Sequence, residues 1–166
     1  SFRQMPDDNN HNIKVVPPLL RKEVKRLKPS DGDFIHGYMV NAGFGENIMS
    51  WHKANPSVPL RFFWDKKGED VETVIDSTLR FHQIDDKAFL QQMAGCKAYA
   101  STAGFESICE AMYLGKPILM VPAHIEQDCN AFDAVSNGAG ISSDDFDISS
   151  LVSFAHSFKP NKGFRK

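Results

Sequence analysis

The chain has no apolar run near the roughly 18 residues that a membrane helix needs, and residues 1–14 are too polar for a signal peptide. It has only three cysteines, Cys96, Cys109 and Cys129, with no C-x-x-C pair and one necessarily left over. That composition makes no disulfide framework and suits buried thiols in a reducing cytoplasm. An excess of one charge is missing too: 19 basic against 21 acidic residues leave a net charge of -2. A broad nucleic-acid-binding surface is therefore excluded. No G-x-S-x-G occurs, so a hydrolase triad has no anchor. A dinucleotide fingerprint needs a third glycine after Gly43 and Gly45, and Ile48 stands there instead, although Asp65 lies where such a fingerprint has its ribose acid.

What is present is core. Leu, Ile, Val and Phe make up about a quarter of the 166 residues, above the roughly 20% below which disorder prevails. The length fits one domain. Residues 1–12 are polar and aperiodic and read as a tether, followed by a short extended piece halted by Pro17 and Pro18. The chain opens on Ser1 rather than Met, and about thirty residues precede the first convincing strand. We read residues 1–30 as tail and linker from an upstream segment, and 31–166 as the domain.

From residue 34 strands and helices alternate. Strands are expected at 34–40, 60–64, 78–84, 98–101, 117–121 and 139–142, and helices at 46–54, 86–94, 104–114, 128–136 and 148–158. Asp85 is placed to cap the second helix, Gly115 and Asn137-Gly138 to stop the third and fourth. This alternation predicts an α/β three-layer sandwich, a parallel sheet covered on both faces. Ligands in such sheets sit past the C-terminal strand ends. The loops expected to carry chemistry are therefore 41–47, 84–86, 102–110 and 123–130.

Gly43-Phe44-Gly45 follows a strand and opens a helix, where glycines let backbone approach an anion. Ser101-Thr102-Ala103-Gly104 makes a second such junction, small and hydroxyl-bearing, suited to a diphosphate. On the helix beyond it, Phe105, Ile108, Cys109 and Met112 form the apolar face. Glu106 and Glu110 share the other face one turn apart, a like-charge pair that fits either a solvated face or one acid with a partner elsewhere. The third loop, His124-Ile125-Glu126-Gln127-Asp128-Cys129-Asn130, is unusually polar after so apolar a strand, and its amides and carboxylate suit sugar hydroxyls. His124-Ile125-Glu126 matches half of a zinc-deaminase signature, whose P-C-x-x-C half is missing. No metal site is assigned.

The stretch from Ser101 to Pro117 (STAGFESICEAMYLGKP), followed by Val121-Pro122, Glu126-Gln127 and Asn130-Ala131, resembles the donor-binding half of GT-B glycosyltransferases. The nearest families are the family 28 enzymes, such as the peptidoglycan N-acetylglucosaminyltransferase, and the plant-type UDP-glycosyltransferases. The resemblance is concentrated in about thirty residues and extends more weakly over 34–158. It implies a Rossmann-like sheet forming the C-terminal half of a GT-B fold. It also implies an inverting transfer of sugar from a UDP-sugar donor to an acceptor hydroxyl, with the donor as substrate and no cofactor. By position, Glu110 matches the acid that binds both ribose hydroxyls and Ile84 the residue whose backbone reads uracil. Thr102, Ala103 and Gly104 fall at the diphosphate, and Glu126, Gln127 and Asn130 at the donor sugar. Gly43 and Gly45 are implied to line the cleft facing a partner domain.

Two departures stand out. Ala103 replaces a serine of the peptidoglycan enzyme, and Asn41-Ala42-Gly43-Phe44 a more glycine-rich run. The acceptor and the general base are expected on an N-terminal domain outside these residues. The implied enzyme is cytoplasmic, compatible with peripheral contact at the inner membrane face, and the fragment alone is expected to be inactive. A nucleotide-sugar 2-epimerase of the same fold and a non-catalytic nucleotide-binding module are the alternatives.

Overall fold

The computed structural model describes residues 7–165. A short helix, α1 (Lys22–Arg26), precedes the sheet. The chain then runs through β1 (Ile35–Met39), α2 (Phe44–Ala54), β2 (Leu60–Trp64), β3 (Glu72–Val74), β4 (Leu79–Gln83), α3 (Asp86–Gly95) and β5 (Ala98–Ser101). It continues through α4 (Phe105–Leu114), β6 (Ile118–Met120), α5 (Ile125–Ser136), β7 (Gly140–Ser142), α6 (Ile148–Ser157) and a closing 3-10 turn (Lys162–Arg165). The strands form a seven-stranded sheet in the order β3-β4-β2-β1-β5-β6-β7. Every pairing is parallel except that of β3 with β4.

The expected strands all form, β2 and β5 with the expected ends and the others one residue shorter at one end or both. The antiparallel edge strand β3 and helix α1 were not anticipated. α5 begins at Ile125, three residues before its expected start, so Glu126 and Gln127 sit on its first turn and not on a loop.

Parallel strands buried on both faces read as apolar runs, and alternate residues serve opposite layers. Phe63 and Tyr99 face the layer of α3, α4 and α5, with Phe89, Met93, Ile108 and Met112. Phe62, Trp64, Ala98 and Ala100 face α2 and α6, with Ile48, Phe146 and Leu151. Gly37, at the centre of β1, makes the packing possible: a Cβ there would stand 2.1 Å from the ring of Phe62. Gly115 ends α4 in the left-handed region at φ 72°, which a side chain would strain.

The lead-in is stitched to the sheet from below. Lys116 is buried, and its Nζ donates to the carbonyls of Ser30 at 2.6 Å and Cys96 at 2.7 Å. Ser30 and Gly32 donate their N–H groups to the carbonyls of Ala94 and Gly95 at the end of α3. β1 lies between β2 and β5, and the chain reverses its progress across the sheet there. The crevice above the C-terminal ends of β1 and β5 is the switch point at which such sheets bind ligands.

One buried group works against stability. His36 on β1 is fully enclosed between the rings of Tyr99, Phe63 and Phe89, and neither ring nitrogen has a hydrogen-bond partner. Burial, reinforced by the nearby His82, pushes its pKa down to about 3. Below the ordinary histidine pKa of about 6.5 the unfolded chain takes up a proton that the native ring refuses, so stability falls with pH from there toward the native value. Urea unfolding of wild type and His36→Leu at pH 7 and pH 5 checks this. The stability gap should move in favour of the variant by roughly 2 kcal/mol between the two, and an unchanged gap would refute the assignment.

Candidate functional site

Three strand-to-helix junctions surround the crevice, and they differ in what they leave free. At the first, between β1 and α2, the backbone is already satisfied. Gly43 N–H donates to Asn41 Oδ1 at 2.8 Å, Phe44 N–H to the Asn41 carbonyl at 3.2 Å and Gly45 N–H to the Ala42 carbonyl at 2.9 Å. Gly43 is exposed at the start of α2. Gly45 does not line the cleft as expected. It is buried in the first turn of α2, where a Cβ would lie 3.1 Å from the Trp64 ring, so its lack of a side chain serves packing.

The second junction, between β5 and α4, is built the other way. Ala103 sits in the left-handed region at φ 62°, a conformation costing an alanine about 1–2 kcal/mol. It is held there from both sides: its N–H donates to Ser101 Oγ at 3.1 Å, and Asn130 Nδ2 donates to its carbonyl at 3.1 Å. Strain maintained by surrounding bonds is a mark of functional loops. Beside it the Thr102 hydroxyl is buried with no hydrogen-bond partner. Gly104 is the N-cap of α4 and supplies no side-chain cap at the start of that helix. A buried orphan hydroxyl beside an uncapped helix N-terminus is a site shaped for an anion.

The same helix carries the acid. Glu110 has no exposed side-chain surface, yet both of its oxygens are engaged. Arg21 reaches over from the lead-in, Nε donating to Oε1 at 2.6 Å and Nη2 to Oε2 at 2.7 Å. Its remaining Nη1 donates to Asp86 Oδ1 at 3.1 Å, and Glu106 Oε1 lies 3.9 Å from Nε. This cage of carboxylates, Glu110 first, raises the pKa of Arg21 above the ordinary guanidinium value. Arg21 is the group that sequence reasoning missed. The signal was the Glu106/Glu110 pair, whose like charges fitted a partner for one of them but equally a solvated face, and the sequence did not locate the cation.

At the third junction, between β6 and α5, the side chains divide. Gln127 is buried and its Oε1 accepts from Ala123 N–H at 2.8 Å, so it has a structural task that its polar setting in the sequence did not suggest. Asn130 is committed to Ala103, while Glu126 is exposed. Opposite, Ile84 is half-exposed after β4, and Asp85 caps α3 by accepting from Ala88 N–H at 2.7 Å. The structure thus brings Thr102, Ala103, Gly104, Glu110 and Asn130 to one corner. Ile84 and Asp86 stand across from them. No group of three or more His, Cys, Asp or Glu able to hold a metal occurs among the described residues, and none of their helices is long and apolar enough to cross a membrane.

Known proteins share this architecture. The glycotransferase of kitacinnamycin aligns with a TM-score of 0.61 at 15% identity, over 95% of this chain and 45% of its own. Arabidopsis thaliana UGT89C1 complexed with UDP-L-rhamnose aligns at 0.55 and 19% identity, over 90% of this chain and 40% of its own. The spinosyn rhamnosyltransferase SpnG complexed with thymidine diphosphate aligns at 0.53 and 17%, over 78% and 37%. The chain therefore spans less than half the length of these proteins, and at such identities the likeness is one of fold, the GT-B fold. No curated protein sequence matches it. The sequence profile of glycosyl transferase family 1 matches residues 1–158. With nearly the whole chain so matched, and a sheet and crevice shared with GT-B glycosyltransferases, the chain belongs to glycosyl transferase family 1.

Proposed function

We propose that this chain is the donor-binding half of an inverting glycosyltransferase and that its donor is a UDP-linked sugar. The observation that carries the proposal is the spacing along α4. An uncapped N-terminus beside the partnerless Thr102 hydroxyl suits a diphosphate, and one and a half turns on, the buried Glu110 suits the two ribose hydroxyls. A carboxylate accepts from two vicinal O–H groups at once. The base then falls beside Ile84 and the sugar beside Glu126 and Asn130, with Gln127 holding the loop that faces it.

In the transfer, a general base removes the proton of the acceptor hydroxyl as its oxygen attacks the anomeric carbon. The bond from that carbon to the diphosphate oxygen breaks, and the charge left on the diphosphate is received by the α4 N-terminus and Thr102. Acceptor and base are assigned to the part of the enzyme beyond residues 31–166. The isolated 166-residue chain should accordingly bind UDP without moving sugar to any acceptor. Product formed by this chain alone would overturn the placement of the base elsewhere.

Calorimetric titration of UDP tests the nucleotide site directly. Glu110→Gln should cost about 1.5–3 kcal/mol of UDP binding, the scale of a hydrogen bond to a charged group. Thr102→Val should also weaken UDP, while its thermal stability holds or rises because a buried hydroxyl without a partner is gone. A stability loss with unchanged affinity would make Thr102 structural.

Sugar recognition separates from nucleotide recognition at Glu126. Because Gln127 supports the Ala123 amide, Glu126→Ala is the clean variant. It should weaken a UDP-sugar by a few-fold to about tenfold, one hydrogen bond's worth, and leave UDP unchanged. Equal losses for both ligands would move Glu126 to the phosphates.

A further inference from the structure

Arg21 belongs to none of the elements that build the sheet, yet it fills the spot that the proposed function reserves for ribose. Its fork presents two N–H donors side by side to the two oxygens of Glu110, at 2.6 and 2.7 Å. A vicinal diol presents two O–H donors to the same pair of atoms. Guanidinium and diol cannot both occupy the open side of a carboxylate whose side chain has no other exposed surface.

We infer that Arg21 is a displaceable latch: a nucleoside entering the crevice expels the guanidinium from Glu110 and thereby loosens residues 17–27, which carry it. This rests on the reading of Glu110 as the ribose acid.

The surroundings suit an exchange. Arg21 keeps a quarter of its side-chain surface exposed, and two further carboxylates stand ready to hold its charge, Asp86 at 3.1 Å and Glu106 at 3.9 Å, both largely exposed. The guanidinium can leave Glu110 without becoming a lone charge. It also has room to leave. A groove of 550 Å³ opens between α1 and α3 with Leu27 and Leu90 among its lining and Arg21 on its wall. The segment that would loosen is short: α1 has five residues, Val24 anchors it in the core with Leu20 and Leu27 packed partly buried beside it, and Leu19 is 93% exposed. Lys116 by contrast fixes Ser30, so motion at Arg21 is hinged between residues 27 and 30. Occupancy of the nucleotide site is in this way coupled to the chain segment that leads into the domain.

Uridine, which lacks phosphates, is the diagnostic ligand, because it gains from release of Glu110 and offers the freed arginine nothing. Calorimetry is run with wild type, Arg21→Gln, Arg21→Lys and Glu110→Gln. The latch predicts uridine binding at least fivefold tighter in Arg21→Gln, a smaller gain in Arg21→Lys, which keeps the charge and loses the fork, and loss of binding in Glu110→Gln. Because Arg21→Gln leaves a buried carboxylate unpaired, hydrogen exchange on wild type gives an independent readout. Saturating uridine should lower protection over residues 19–27 and raise it around 102–107. Unchanged or higher protection over 19–27, or weaker uridine binding in folded Arg21→Gln, overturns the latch while Glu110→Gln still reports on the ribose site. Uridine binding indifferent to Glu110→Gln removes the ribose reading and the latch with it.

Discussion

A charged group with no exposed surface has to be paired, and two such groups organise the attachment of the lead-in to the sheet. Glu110 lies on α4 and Lys116 just beyond its end. The first draws Arg21 to the C-terminal side of the sheet, and the second holds the Ser30 carbonyl toward the other side. The residues between them are thereby laid along the α3–α4 layer, with Val24 sealed into its core. Removing one partner of a buried pair costs about 3–5 kcal/mol, because the other is left stranded. Two polar pins so placed hold a short, largely exposed helix that could not hold itself.

The two pins are not equivalent. Lys116 is 2% exposed and donates to backbone carbonyls of the chain's own loops. Glu110 has both oxygens bonded by Arg21, and Arg21 is partly in solvent. The same physical requirement, a partner for a buried ion, makes a permanent fastening at one end and an exchangeable one at the other. That asymmetry points the lead-in's freedom of movement at the crevice.

Much of the fold was legible because both faces of the sheet are buried. The runs at 60–64 and 98–101 coincide with β2 and β5, since a strand between two helical layers is apolar throughout and its ends are where polarity returns. The misses share one cause, a lack of apolar signal. β3 is three mostly exposed residues on an edge, and α1 buries a single valine. α5 hid its first turn behind Glu126, Gln127 and Asp128, which look like a loop. Acids there are nevertheless what a helix N-terminus favours, and Gln127 is the brace of the preceding turn. For the site, the motif around Glu110 pointed to the right helix, but the partner of Glu110 lies 89 residues away and carried no local mark.

The division between bonded and unbonded polar groups says more about the crevice than its outline does. Amides 43–45, Gln127, Asn130 and Ser101 look like ligand-binding equipment in the sequence, and each is occupied in building the walls. Two of those bonds, from Ser101 and Asn130, meet at the strained backbone of Ala103, just before α4 starts without a side-chain cap. Among the described residues the walls leave over the Thr102 hydroxyl and the exposed Glu126, with the α4 N-terminus lacking a side-chain cap and Glu110 standing behind its arginine. Satisfied groups cannot bind without first breaking a bond, whereas orphaned ones gain one. A ligand carrying an anion flanked by a diol on one side and hydroxyls on the other would meet these leftovers in order. A nucleotide-sugar has that layout, and the order of Glu110, the α4 N-terminus and Glu126 across the crevice is the physical content of the assignment.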